Sequence, residues 1–239
     1  GSVLDATKFI AAAIRFRGKD PWEILRTMGG CIKAAVPLGA ILTLPATGSE
    51  MNCFSVISRE KTQEKLHFGS PKVFPLFSIL DPETTYSLPK SQVRNGIVDA
   101  FAHVMEQYMT RDVHTPLQDR QAEAILKTLV EEADKILADR PDYDSRATWM
   151  WCCTQALNGT IACGCVEDWT THMIGHELTA FFGLDHGQSL AVVMPAVWKH
   201  QKQHKKAKLA QYARRVWHIT AGSIDDQADA AIDKTIAFF

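Results

Sequence analysis

The sequence predicts an α+β chain that is mainly helical, with a mixed α/β portion over residues 1–88 and an all-helical portion over residues 89–239. Short apolar runs bounded by proline and polar clusters precede Pro89, which is typical of strands. After Pro89, apolar residues recur at intervals of three and four, with no strand-like alternation. Leu88-Pro89 marks the predicted boundary, because proline disfavours helix in the residue before it.

Composition limits the classes of partner. The chain has 239 residues, a formal net charge of −1 and 46% hydrophobic residues. Near-zero charge offers no electrostatic footprint for nucleic acid or a membrane surface. No apolar run approaches the ~20 residues that span a bilayer, and no charged-then-apolar leader stands at the start. The six cysteines match neither a disulfide framework nor a zinc pattern, so we expect reduced core thiols in a cytoplasmic protein.

The first predicted helix follows Gly1-Ser2 and extends to Ile14. A turn that enters a helix offers free backbone N–H groups and a positive dipole end, which suit a phosphate. The alternative is that Gly1-Ser2 is a cloning remnant before an ordinary helix, and the residues alone leave both open. Further on, Asp20-Pro21 predicts a helix N-cap followed by proline at the first helical position.

Strands are expected in the rest of the first portion. Residues 37–45 indicate a buried strand, and residues 46–50 form a small-residue loop at its carboxyl end, where α/β sheets bind ligands. Residues 55–59 and 65–68 predict a hairpin across a polar turn. Residues 74–80 predict another strand, which Asp81-Pro82 ends.

The second portion predicts seven helices, at residues 89–108, 117–138, 146–163, 167–182, 190–200, 207–220 and 225–239. Pro195 is expected to kink or break the fifth of them. The lysine-rich residues 201–208 indicate a solvated junction between the fifth and sixth helices.

Two clusters carry the functional prediction. Asp99 and His103 are four residues apart, so they lie on one face of a helix, and His172 and His176 have the same spacing. His186 follows ten residues later, before a glycine. A carboxylate and several imidazoles presented together suit a divalent metal.

Taken singly, these residues have plainer interpretations. Asp99 and His103 could form a helix-surface pair, His172 and His176 could be ordinary polar positions, and His186 could be a turn residue. Both clusters sit among apolar residues, however, and buried polar groups need partners, for which a shared ion suffices. The other histidines are interpreted as structural: His67, His114, His200, His204 and His218.

At these positions the chain resembles the iron-containing (group III) alcohol dehydrogenases, in the branch of butanol dehydrogenases and NADPH-dependent aldehyde reductases. The similar segments are GSVLD at residues 1–5, LPATGSEMN at 44–52, NGIVDAFAH at 95–103, EQY at 106–108, and DWTTH at 168–172 continuing to His186-Gly187. The resemblance implies the dehydroquinate synthase-like fold of that family. In this chain, a partial α/β nucleotide-binding portion would precede an all-helical metal-binding domain.

The resemblance also implies site residues and partners. Fe²⁺ or Zn²⁺ would be held by Asp99, His103, His172 and His186. His176 matches a histidine that does not bind the metal and helps to move the proton. NADP(H) contacts would fall on Gly1, Ser2, Thr43, Thr47 and Asn52, with Lys65 nearby. The implied protein is a cytoplasmic homodimer that interconverts small alcohols and aldehydes by hydride transfer.

The chain departs from the family in extent. Family members have a further segment before the Gly-Ser turn, with the residue that distinguishes NADP from NAD, and further helices after residue 239. The chain is therefore expected to be a middle segment of such an enzyme. That leaves a second hypothesis, a metal-binding helical module without redox activity. A third, metal-dependent hydrolysis, would need Glu106 or Asp185 as the base.

Overall fold

The first portion of the chain is a mixed α/β unit. The computed structural model describes all 239 residues. Helix α1, Ser2–Ala13, and the short helix α2, Glu23–Arg26, precede and flank four strands. The strands are β1 (Ala40–Leu42), β2 (Phe54–Arg59), β3 (Glu64–Gly69) and β4 (Ser78–Leu80). Asp20 Oδ1 accepts a hydrogen bond of 2.9 Å from the backbone N–H of Trp22 in the turn before α2, but the N-cap of α2 is Trp22, so the predicted N-cap at Asp20 lies two residues too early.

The strands form two separate pairs. β1 and β4 are parallel, with Ala40 opposite Ser78 and Leu42 opposite Leu80. β2 and β3 form the predicted antiparallel hairpin, with Phe54 opposite Gly69. The predicted strands at 37–45 and 74–80 are shortened to three residues each. The prediction that the first of these is buried is half wrong, since Ile41 is 66% exposed between two buried neighbours.

Six helices make up the second portion. They are α3 (Lys90–Tyr108), α4 (Pro116–Ile136), α5 (Tyr143–Ala156), α6 (Thr170–Phe182), α7 (His186–Arg215) and α8 (Ile224–Phe238). The prediction of a mainly helical α+β chain is confirmed. Helix α5 ends well before the predicted residue 163, and the chain then passes Gly159 and Gly164 with positive φ angles of 89° and 78°.

Of the kink or break predicted at Pro195, the break is wrong. Helix α7 is 30 residues long and continues through Pro195, so the fifth and sixth predicted helices form a single helix. Proline removes one backbone hydrogen bond, at a cost of ~3 kcal/mol. Leu190, Met194 and Trp198 are almost fully buried around it, and that packing offsets the loss.

The expected helix junction at residues 201–208 is also wrong, although none of these residues is buried. These residues belong to α7, and two of their lysines reach other parts of the protein. Lys205 Nζ lies 2.7 Å from Asp168 Oδ2, and Lys208 Nζ lies 2.5 Å from Asp119 Oδ2. The run therefore ties α7 to the N-terminal half of α4 and to the segment before α6.

Each portion of the chain has its own apolar core. A cluster of 29 buried residues joins α3, α4, α5, α7 and α8, with Phe101, Trp149 and Tyr212 among its largest members. A cluster of six lies in the first portion and includes Trp22 and Phe68. The large cluster surrounds α3, which is buried on nearly every side from Gly96 to Tyr108.

The cysteines and the helix lengths complete the description. All six cysteines are free thiols. Cys152 and Cys153 lie in the core as predicted, whereas Cys163 is exposed. None of the helices combines the length and the apolar character that crossing a bilayer demands.

Candidate metal and cofactor site

The site begins on α3. Asp99 and His103 are 3% and 4% exposed, one helical turn apart, and they face the same side. His103 Nε2 lies 3.5 Å from Asp99 Oδ1. The predicted helix-surface pair is therefore excluded, since both groups are inside the protein.

Helices α6 and α7 bring further imidazoles to the same carboxylate. His172 Nε2 from α6 lies 3.8 Å from Asp99 Oδ1. His186, the first residue of α7, places its Nε2 3.5 Å from the same oxygen. The rings of His103 and His172 stack at 4.6 Å between centroids, and His172 and His186 meet edge to face at 5.2 Å.

Three imidazoles from three helices thus surround one carboxylate oxygen. The potential ligand atoms of Asp99, His172 and His186 all lie within 4.8 Å of one another. His103 is outside that tight group, although it contacts Asp99. Buried Asp99 Oδ1 and His172 Nε2 have no hydrogen-bond partner. Buried polar atoms nearly always have a hydrogen-bond partner. These two atoms, one oxygen and one nitrogen, have none, and they fit the ligand positions of a divalent cation.

Electrostatics favour positive charge at this point. Burial by itself raises the pKa of Asp99, but the nearby imidazoles of His103, His186 and His172 hold it well below its ordinary value. Burial lowers the pKa of His172, but hydrogen bonds and charge from Asp99 and Glu106 outweigh it and raise the pKa to about 9. Burial lowers the pKa of His103 to about 4 and that of His186 to about 3. The two carboxylates therefore make the site attractive to a cation.

His176 lies beside this group and is not part of it. It is buried one turn after His172 on α6. Its ring centroid lies 5.5 Å from that of His186 and 6.4 Å from that of His172. Burial and the neighbouring cations lower its pKa to about 2, so its imidazole is neutral in this setting.

Three of the predicted cofactor residues come together at the start of α1. A Cβ added to Gly1 would lie 2.7 Å from Thr47 Cγ2. The side-chain amide of Asn52 donates a hydrogen bond of 3.1 Å to the backbone oxygen of Thr47. Gly48 between them has a φ of 58°, a conformation that glycine adopts without strain. The loop at residues 46–50 therefore lies against the free N-terminus of α1.

Of the other predicted cofactor residues, Ser2 is next to this group, and Thr43 and Lys65 lie elsewhere. Ser2 is exposed as the first residue of α1. Thr43 is exposed just after β1. Lys65 on β3 reaches the histidine cluster, with Nζ 3.5 Å from His186 Nδ1. The hairpin thus connects the α/β portion to the metal side of the site.

Two buried residues were overlooked in the sequence. Lys8 is fully buried and donates to the backbone oxygens of Asn52 and Phe54 at 2.9 and 2.8 Å. Glu106, considered only as a base for hydrolysis, contacts the start of α6. Its spacing of three from His103 and seven from Asp99 places it on the same helix face, and this spacing is the signal that was missed.

Fold and site together define a class of protein: a mainly helical α+β chain in which three helices bring three imidazoles to one buried carboxylate. Family models agree. The model of the iron-containing alcohol dehydrogenase matches residues 1–82. The model of the C-terminal part of the Fe-containing alcohol dehydrogenase family matches residues 94–239. The chain belongs to the iron-containing alcohol dehydrogenase family, which confirms the resemblance.

Individual relatives support this membership. The chain is 57% identical over 240 residues to the NADPH-dependent aldehyde reductase YqhD of Escherichia coli (strain K12), covering 100% of this chain and 62% of the relative. It is 43% identical over 241 residues to the probable NADH-dependent butanol dehydrogenase 1 of Bacillus subtilis (strain 168), with the same coverage. The chain therefore spans about three fifths of the length of these relatives.

Solved structures give the same result for the fold. The crystal structure of E. coli K-12 YqhD matches with a TM-score of 0.98 and 56% identity, over 100% of this chain and 61% of that one. The NADH-dependent butanol dehydrogenase A from Thermotoga maritima matches with a TM-score of 0.94 and 33% identity, over 100% and 59%. The predicted family fold is confirmed.

Proposed function

We propose that this chain carries the metal-binding part and a share of the dinucleotide-binding part of an enzyme that interconverts small alcohols and aldehydes with NADP(H). The observation that carries the proposal is the convergence of three histidines on the buried, unpaired Oδ1 of Asp99. The names of the relatives, an NADPH-dependent aldehyde reductase and a butanol dehydrogenase, supply the reaction class.

Four side chains would hold the metal: Asp99, His103, His172 and His186. When bound, a divalent ion such as Fe²⁺ or Zn²⁺ supplies Lewis-acid polarisation of a substrate oxygen. One aspartate and three neutral imidazoles leave such an ion with a net charge of about +1. This donor set suits several metals, so the choice between iron and zinc is open to measurement.

The remaining residues would bind and orient the cofactor. NADP(H), when bound, supplies or accepts the hydride. The N-terminus of α1 at Gly1-Ser2 offers unpaired N–H groups for a pyrophosphate. Thr47 and Asn52 lie against that terminus, and Thr43 follows the last residue of β1. Lys65 reaches over the histidine cluster from β3.

We propose that His176 moves the proton that accompanies the hydride. Its ring lies next to His186 without joining the group around Asp99. Its ring centroid lies 5.5 Å from that of His186, which places an imidazole nitrogen where it would relay the hydroxyl proton of an alcohol or return it to the product of aldehyde reduction.

The remaining proposals concern organisation. We propose the division into residues 1–88 and 89–239, because the two apolar cores draw their buried members from opposite sides of Leu88. We propose a homodimer in the cytoplasm. Six free thiols fit a reducing compartment. Leu76 and Phe77 are 76% and 60% exposed, which fits a surface that association covers.

The test is a joint measurement of metal content and turnover. Purified wild-type protein is expected to hold a divalent metal and to oxidise NADPH when butanal is added. His172→Ala and His186→Ala are expected to lose both properties. His200→Ala, which changes an exposed histidine on α7, should keep both. Full metal content in either cluster variant would refute the assignment, and metal binding without NADPH binding would favour the module without redox activity.

A further inference from the structure

Glu106 connects α3, which carries Asp99 and His103, to α6, which carries His172. It lies on α3, one turn beyond His103, and is only 5% exposed. Its side chain reaches the N-terminus of α6, the helix that carries His172. Its own backbone oxygen accepts a hydrogen bond of 2.9 Å from Asp168 N, which holds the incoming chain against α3. Glu106 is therefore fixed at both its backbone and its side chain.

The carboxylate of Glu106 caps α6 from outside. Its Oε1 accepts a hydrogen bond of 2.5 Å from the backbone N–H of Thr171, and its Oε2 accepts one of 3.1 Å from that of His172. The first N–H groups of a helix have no partner within the helix, and no side chain at the cap position of α6 supplies one. Negative charge is also favoured at this end of the helix dipole.

The same carboxylate oxygen meets the imidazole of His172. Oε2 of Glu106 is hydrogen-bonded to His172 Nδ1. An ionised carboxylate only accepts hydrogen bonds, so Nδ1 of His172 carries the proton. His172 Nε2 is then the nitrogen that faces the cluster, where it has no hydrogen-bond partner 3.8 Å from Asp99 Oδ1, and a bound cation would replace any proton on it.

His172 is distinguished in this way from the other two imidazoles around Asp99. His103 Nδ1 is buried and has no hydrogen-bond partner. His186 Nδ1 faces the ammonium group of Lys65 at 3.5 Å. Of the three rings, therefore, His172 alone has a carboxylate that sets which nitrogen is protonated.

We propose that Glu106 is a positioning residue for metal binding. It fixes His172 as the Nδ1–H tautomer, turns the ring so that Nε2 faces Asp99, and ties that orientation to the start of α6. A carboxylate on the far nitrogen of a histidine ligand also increases the basicity of that ligand. This inference rests on the proposed metal site. Glu106 would be a fifth residue of the site beside the four proposed ligands, and it would act through His172 without touching the ion.

The test measures zinc affinity in the absence of NADPH and substrate. Zn²⁺ is titrated into metal-free protein against a chromogenic chelator. Glu106→Gln is expected to weaken affinity by about 10- to 100-fold, because the neutral amide leaves a helix N–H group or His172 Nδ1 without its acceptor. The matched control is Glu123→Gln. Glu123 is a buried carboxylate on α4 that accepts from the Tyr108 hydroxyl at 2.8 Å, away from the cluster, and zinc affinity should not change.

A second measurement does not depend on the variant folding. Nitrogen NMR of zinc-loaded wild-type protein should show His172 with a protonated Nδ1 and a metal-bound Nε2. The opposite assignment would overturn the inference, and so would a folded Glu106→Gln protein that binds zinc within twofold of wild type. Wild-type protein that holds no zinc or iron would instead refute the metal site, and this inference with it.

Discussion

The ammonium group of Lys8 lies 2.9 Å from the backbone oxygen of Asn52 and 3.1 Å from its side-chain oxygen. These contacts, together with a third to the backbone oxygen of Phe54, fasten α1 to the segment that follows the loop at residues 46–50. Asn52 in turn donates hydrogen bonds to the backbone oxygens of Thr47 and Leu157. Lys8 and Asn52 together therefore join α1, the loop at residues 46–50 and the end of α5.

The burial of Lys8 makes stability depend on pH. Burial lowers its pKa from 10.5 to about 8, although Asp5 opposes the change. Between these two values the unfolded chain binds a proton that the folded protein releases, so stability rises with pH over that range. Relative to Lys8→Met, the wild-type free energy of unfolding should increase by about 3 kcal/mol from pH 7 to pH 10.5. Urea unfolding at a series of pH values measures this, and parallel curves for the two proteins would contradict it.

Gly96→Ala should destabilise the protein. Alanine is normally better than glycine in a helix by about 1 kcal/mol. A Cβ at position 96, however, would lie 2.4 Å from the backbone oxygen of Pro45 and 2.7 Å from the Trp149 ring. We expect a loss of about 1–3 kcal/mol and weaker NADPH binding, because Pro45 leads into the loop at residues 46–50, where we propose that the cofactor binds. Urea unfolding and NADPH titration measure the two effects.

The control for that substitution is Ser91→Ala, on the exposed side of the same helix. It should leave stability within about 0.5 kcal/mol of wild type and NADPH binding unchanged. An increase in stability for Gly96→Ala would show that the close approach of α3 to Pro45 is relaxed in solution.

Gly187→Ala should weaken metal retention. A Cβ at position 187 would lie 2.7 Å from Asn95 Cα and 2.8 Å from its backbone oxygen. The start of α7 would have to move away from α3, and His186, the preceding residue, would move with it. We expect zinc affinity to fall on the order of tenfold, or about 1.4 kcal/mol. Gln188→Ala, at the exposed neighbouring position, should bind zinc as wild type does, and equal affinity of both variants would refute the argument.

His176→Ala should separate metal binding from turnover. Its ring is next to the ligand group but outside it. Metal content is expected to match wild type, while kcat falls by about 10²-fold because the proton has lost its carrier. Elemental analysis and steady-state kinetics on the same preparation measure both. Loss of metal would make His176 a ligand, and an unchanged kcat would remove it from proton transfer.

Local patterns predicted the elements well where a single chain segment decides the outcome. The hairpin of β2 and β3 and the helices α3 and α4 follow from apolar spacing and turn residues. Pro195 was misjudged because the cost of one missing hydrogen bond is local, whereas the burial of Met194 and Trp198 depends on helices distant in the chain.

The sequence by itself determined the inventory of the site: which residues share a helix face, and which family motifs they match. Only the tertiary structure decided that α3, α6 and α7 meet at Asp99 Oδ1, and that Glu106 rather than solvent faces His172. The physical reason is that helical spacing is a property of neighbouring residues. The contact between helices, in contrast, is set by close packing of side chains that lie far apart in the chain.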